Sequence, residues 1–179
     1  MTIQTVDLII HAKWIIPVAP KNTVLTDCSL VINDNRIIAI KPTNNIEQLF
    51  SAITEHDLKE HVVMPGLINA HGHAAMNLLR GYADDLALDT WLNDHIWPAE
   101  AKHVSAEFVK HGAELAIAEM IRSGTTTFSD MYFFPEETAA AAHSSGMRCQ
   151  ITFPVFDFPC AWGNGPDDYI SKGLTLRDD

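Results

Sequence analysis

The sequence predicts a mixed α/β chain in which a small unit of strands precedes a parallel sheet. Three observations predict it. The first sixty residues hold short apolar, β-branched runs separated by turn residues. From His61 onward the texture changes, and apolar strands alternate with amphipathic helices, the pattern of βα units. Residues 62–70 are apolar at almost every position, as a strand covered on both faces of a parallel sheet would be.

The elements of the first region follow in order. Residues 6–10 form a compact apolar run. Residues 14–18 form another, interrupted by Pro17, which has no N–H to donate to a ladder and so suits an edge strand. Residues 29–32 and 36–40 flank Asn33-Asp34-Asn35, a polar cluster that reads as a hairpin turn. Residues 44–52 and Ile53 carry Ile46, Leu49, Phe50 and Ile53 at helical spacing, with Asn45 placed to cap the start. Residues 1–60 thus predict a small antiparallel sheet with one short helix.

Residues 61–179 predict βα units. Residues 105–123 give the clearest helix. Phe108 and Leu115 lie seven apart, as do Val109 and Ala116, with Met120 four beyond, while Glu107, Lys110 and Glu114 fall on the other face. Ser105 is placed to cap it, and Gly124 to end it in the left-handed conformation. Residues 125–128 are a β-branched strand. Residues 135–145 are an Ala-rich helix with Pro135 in its first turn and Gly146 at its end. Residues 147–155 are a further strand, and residues 171–179 read as the start of another helix. Parallel strands near 64–70, 125–130 and 148–155 are too few for a closed barrel of eight strands and about 250 residues. The chain is therefore either a small open α/β protein or the first part of something longer, and the second is expected.

Composition narrows the function. The 179 residues are 47% apolar and 20% charged, a globular mixture with no low-complexity tract. No apolar run approaches the 18 or more residues of a membrane span, and the N-terminus lacks the pattern of a signal peptide. Twelve basic against 23 acidic residues give a net charge of −11, which would repel nucleic acid. Cys28, Cys149 and Cys160 are odd in number and outside any C-x-x-C spacing, so reduced thiols and a cytoplasmic setting are expected.

Chemistry concentrates at His71-Gly72-His73, directly after the 62–70 run. In extended chain, residues two apart point to one side, so two imidazoles could reach one metal ion at about 2.0–2.1 Å. The spacing alone equally describes two exposed loop histidines. The end of a parallel strand, where barrel enzymes keep catalytic groups, favours the metal.

The segment from Val63 through Pro65-Gly66, Asn69, His71 and His73 closely resembles the first-strand motif of the amidohydrolase superfamily. Arg80-Gly81, Trp91-Leu92, Ile96-Trp97-Pro98-Ala99-Glu100 and residues 123–131 resemble its 5-methylthioadenosine/S-adenosylhomocysteine deaminase branch, over residues 6–154. The resemblance implies the N-terminal part of a (β/α)8 TIM-like barrel. It is preceded by strands of a small β-sandwich subdomain, with residues 1–60 as the sandwich share and 61–179 as the first barrel units. It implies one divalent metal ion, zinc with iron as the alternative, held by His71, His73 and ligands that this chain does not supply. His143, in the Ala-rich helix, is no substitute for them. The implied reaction is hydrolytic deamination of a nucleoside. The proton-shuttling carboxylate is expected beyond residue 179, so this chain alone is expected to be inactive.

Glu100 matches the family position that accepts from the ribose hydroxyls; without the resemblance it reads as an ordinary surface glutamate. Trp97 and Trp91 are candidates for the wall of a nucleobase pocket, or for packing. Asp84-Asp85 reads as a solvated turn, and Asp130 as a structural residue behind the site. Some members carry a substrate-contacting arginine on the third strand, and residues 151–155 hold none. A guanine deaminase or s-triazine chlorohydrolase type, and a catalytically silent fragment, are the competing readings. The expected partners are a small nucleoside and the remainder of the same polypeptide, with no nucleic acid or membrane, and a homo-oligomer is compatible.

Overall fold

The computed structural model describes residues 2–178. The chain divides into two compact units, residues 1–65 and 66–179.

The first unit is a four-stranded mixed sheet. Its strands are β1 (Gln4–Ile15), β2 (Leu25–Asn33), β3 (Arg36–Pro42) and β4 (Phe50–Val63), in the order β3-β2-β1-β4. The β2–β3 hairpin turns on Asp34 and Asn35, both left-handed at φ 49° and 58°, as a tight two-residue turn requires. Apolar clusters lie on both faces of the sheet. Val6, Ile9, Val31 and Ile46 form one, and Ala12, Ile15 and Leu30 the other.

Three sequence expectations change here. The runs at 6–10 and 14–18 are one strand, β1, which stops before Pro17 and lies inside the sheet, between β2 and β4. The helix expected over 44–52 is only a 3-10 segment, Thr43–Gln48, beginning before Asn45. Phe50 then opens β4, which pairs parallel to β1 from Gln4–Phe50 to Ile15–Val63. Ladder pairing with β1 outweighs the helical spacing: Phe50 and Ala52 turn inward while Ile53 is 76% exposed. The sheet is accordingly mixed.

The second unit carries a separate three-stranded parallel sheet, β5 (Leu67–Asn69), β6 (Thr125–Met131) and β7 (Arg148–Thr152), with β6 central. The single strand expected over 62–70 is therefore split. Pro65 donates no ladder hydrogen bond, and Gly66 lies so close to Thr126 that a Cβ there would overlap its side chain. Between β5 and β6 the chain makes a 3-10 segment (Ala74–Leu79), a single turn α1 (Leu88–Thr90) running through a π-helical turn (Trp91–Ile96) into α2 (Trp97–His103), and α3 (Ala106–Arg122). α4 (Pro135–Ser145) joins β6 to β7, and α5 (Pro166–Asp178) follows. The last begins five residues before the expected 171. Among the described residues no helix is long and apolar enough to cross a membrane.

α3 starts as read: the Ser105 side chain accepts from the Phe108 N–H at 3.2 Å. Gly124 and Gly146 follow α3 and α4 at φ 83° and 70°, a conformation that costs glycine little. The expected face of α3 is largely the buried one, with Val109 and Ala116 covered and Phe108 and Met120 packed against apolar clusters; only Leu115 departs from it. Val109, Gly112, Ala113, Ala116 and Ile117 are covered, and Leu115 is 40% exposed. Gly112 sets this choice, because α3 rides directly on the Ala74–Leu79 segment there. A Cβ on Gly112 would lie 2.5 Å from the Ala75 carbonyl oxygen and 2.7 Å from its Cα. Only small side chains fit beside so close an approach.

Gly112→Ala should therefore destabilise the protein. Alanine gains up to about 1 kcal/mol of helix propensity, but pushing α3 off backbone atoms costs about 1–3 kcal/mol. A lower urea midpoint is expected; an unchanged or higher one would show that the 74–79 segment yields freely.

Candidate active site

β5 delivers the chain to His71-Gly72-His73, which lies in the bend after the strand and not within it. The neighbouring end of β6 holds this bend at three points. The buried Asp130 carboxylate accepts from the Ala74 N–H at 2.6 Å. The Met131 N–H donates to the Gly72 carbonyl at 3.2 Å. The His73 Nδ1–H donates to the Met131 carbonyl at 2.7 Å. Gly72 eases this approach, since a Cβ there would sit a tight 3.3 Å from the Ser129 carbonyl.

The third contact fixes the chemistry of His73. A carbonyl only accepts, so Nδ1 carries the proton and Nε2 keeps its lone pair. Histidines that bind metals are oriented by such a bond on the other nitrogen. The His71 ring stands edge-on to it, with centroids 5.2 Å apart and planes at 79°. The two imidazoles are thus neighbours at the strand end and could serve as two ligands of one ion. Among the described residues no group of three or more His, Cys, Asp or Glu side chains is placed to hold a metal. His143 is exposed on α4.

His73 also lines a cavity of about 550 Å³ with a largely aromatic wall. Trp91, Trp97, Phe156 and Phe158 form much of its wall, and Phe156 stacks on Phe158 at 4.7 Å. Both tryptophans singled out in the sequence therefore meet in one place. Glu100 lines the same cavity and is only 9% exposed, so it is no ordinary surface glutamate. The Tyr132 hydroxyl donates to Glu100 Oε1 at 2.6 Å. Burial raises the Glu100 pKa above the usual carboxylate range, while the Tyr132 hydrogen bond and the nearby His73 pull it back. Burial likewise raises Asp130, against the Ala74 N–H and His73. It raises Tyr132 too, reinforced by the carboxylate it faces, so the phenol stays protonated and can only donate to Glu100.

Asp84 and Asp85 are exposed, with Asp85 left-handed at φ 61°, a turn as read. Sequence reading missed Tyr132 and the aromatic pair on the loop after β7. The available signals were an aromatic run immediately after Asp130-Met131 and the alternation of Phe156 with Phe158.

Residues 62–177 match the model of the amidohydrolase family. The chain is 57% identical over 172 residues to a 5-methylthioadenosine/S-adenosylhomocysteine deaminase from Saccharophagus degradans, covering 96% of this chain and 39% of that protein. Its fold superposes with a TM-score of 0.96 on an adenosine deaminase from Xanthomonas campestris with bound zinc. The two are 40% identical, and the match covers 99% of this chain and 40% of that one. An atrazine chlorohydrolase from Arthrobacter aurescens, complexed with zinc, superposes at 0.81 with 20% identity, over 96% of this chain and 43% of that one, and shares the fold alone. The chain spans about two fifths of the length of these relatives. With its family match over nearly two thirds of its length and the paired imidazoles at a strand end, the chain belongs to the amidohydrolase family.

Proposed function

We propose that this chain is the N-terminal portion of a zinc-dependent hydrolase that deaminates an adenosine-like nucleoside, 5-methylthioadenosine or S-adenosylhomocysteine, releasing ammonia. The observation that carries the reading is the shared cavity: His73 and the buried Glu100 face one aromatic chamber. The deaminase relative at 57% identity supports it. On this reading the first unit, which runs past residue 60 through β4, is one share of a composite β-sandwich, and the second unit is the first part of a (β/α)8 barrel. The partner is a small nucleoside in the cytoplasm.

The donor set fits a metal in part. His71 and His73 would be two of its ligands, one short of the three protein ligands of a catalytic zinc site. The remaining ligands and the proton-shuttling carboxylate then come from the rest of the polypeptide. When bound, the ion supplies a water acidified towards neutral pH. The residues of this chain position the substrate. An ionised Glu100 can accept from two vicinal hydroxyls, so it suits the ribose. Trp97 and Phe158, with ring centroids 6.3 Å apart, offer apolar surface to the substrate. A guanine or an s-triazine brings no sugar hydroxyls to a buried carboxylate, which favours the nucleoside.

Three outcomes test this reading in the full-length protein. His71→Ala and His73→Ala should each lose zinc on dialysis against a chelator that leaves the parent loaded; full retention by both variants would remove them as ligands. Asp130→Ala frees the bend from its carboxylate anchor and should weaken zinc binding about 10–100-fold in a chelator competition. Asp130→Asn, which keeps an acceptor for the Ala74 N–H, should lose less; equal affinity in all three would sever Asp130 from the metal bend. Glu100→Gln should lower kcat/KM for methylthioadenosine by about tenfold to a few hundredfold, with zinc content unchanged. Its 2′,3′-dideoxy analogue should lose far less; an equal loss on both returns Glu100 to a structural role.

A further inference from the structure

We infer that Tyr132 is a positioning residue for substrate: its hydroxyl holds Glu100 in the one orientation that receives the sugar hydroxyls. This rests on the ribose reading of Glu100 given above.

Tyr132 directly follows β6, and its ring is buried at 5% exposure against Ala75, Val104 and Val109. A ring so enclosed is a stiff arm. Its only polar atom reaches across to α2 and donates to Glu100 Oε1 at 2.6 Å. Among the described residues no other side chain hydrogen-bonds Glu100. A glutamate has three side-chain torsions, and in a cavity of about 550 Å³ it would sample several rotamers. The Tyr132 bond selects one and uses one oxygen, leaving Oε2 and the remaining lone pairs for a vicinal diol.

A contrast within the same unit separates this from simple satisfaction of a buried phenol. Tyr169 is equally enclosed, and its hydroxyl lies 2.8 Å from the Phe158 carbonyl and 3.0 Å from the Gly163 carbonyl, both backbone acceptors. Tyr132 directs its one donor to an ionisable group that lines the cavity. The consequence is order in the carboxylate before substrate arrives, which lowers the entropy lost on binding.

The test uses Tyr132→Phe, which keeps the ring and deletes the hydroxyl, in the full-length, zinc-loaded enzyme. The readout is the ratio of kcat/KM for 5-methylthioadenosine to that for its 2′,3′-dideoxy analogue. Both are measured on one sample, so the ratio cancels any fraction that fails to fold. The ratio should fall about three- to thirtyfold, mostly through KM for the riboside. In a Glu100→Ala background the same substitution should change the ratio less than about twofold, because Tyr132 acts through Glu100. If Glu100→Ala lowers the ratio and Tyr132→Phe leaves it unchanged, the positioning role is overturned and the ribose reading stands. If Glu100→Ala itself leaves the ratio unchanged, the ribose reading fails and takes the positioning role with it. A fall of equal size in both backgrounds also overturns it, since Tyr132 would then act independently of Glu100.

Discussion

The hydrogen bond from the Ala74 N–H to the Asp130 carboxylate is the contact on which the rest of the site depends. A buried carboxylate without a partner is costly, and a buried N–H without one costs about 1–3 kcal/mol. The bond satisfies the Ala74 N–H and one of the two Asp130 oxygens, so the bend after β5 cannot drift from the end of β6 without leaving both unpaired. That fixes where the chain turns, and the turn fixes the two imidazoles. The His73 Nδ1–H bond to the Met131 carbonyl then adds the choice of tautomer, which a mobile loop could not hold.

Packing from the far side reinforces the same bend. Ala75 is fully buried under α3, and Gly112 brings the helix close enough that backbone meets backbone. The segment after His73 is thus clamped between a helix above and a strand beside it. The small residues Ala113 and Ala116 of α3 pack in one cluster with Ala74, so the helix supports the bend directly.

Local signals in the sequence were enough for α3, α4 and the β2–β3 hairpin, because caps and turns are set by neighbours: Ser105, Gly146 and Asp34-Asn35 each act within a few residues. The imidazole pair and Glu100 were legible through motif resemblance. β4 was not, because its pairing with β1 joins residues nearly fifty positions apart, and Phe50 and Ile53 fit a helix as well as a strand until that partner is known. Leu115 misled for a related reason: the helical period gives a face, but the close approach at Gly112 centres the buried stripe on small residues and leaves Leu115 at its margin. Tyr132 carried no motif. Its meaning comes from a bond to Glu100, thirty-two residues away.

Three consecutive residues at the end of β6 divide the labour of the site. Asp130 holds the bend through its carboxylate, Met131 holds His73 and Gly72 through its backbone, and Tyr132 holds Glu100 through its hydroxyl. Strand geometry explains the division. Side chains alternate, so Asp130 and Tyr132 are buried together at 2% and 5% exposure, while Met131 turns outward at 38%. Met131 lines the cavity as well, and it holds the bend through its peptide groups. One short extended segment therefore sets the positions of both the imidazole that faces the cavity and the carboxylate that shares it. The two anchors start from adjacent residues, Met131 and Tyr132, although the groups they hold lie 27 positions apart in sequence, on the bend after β5 and on α2.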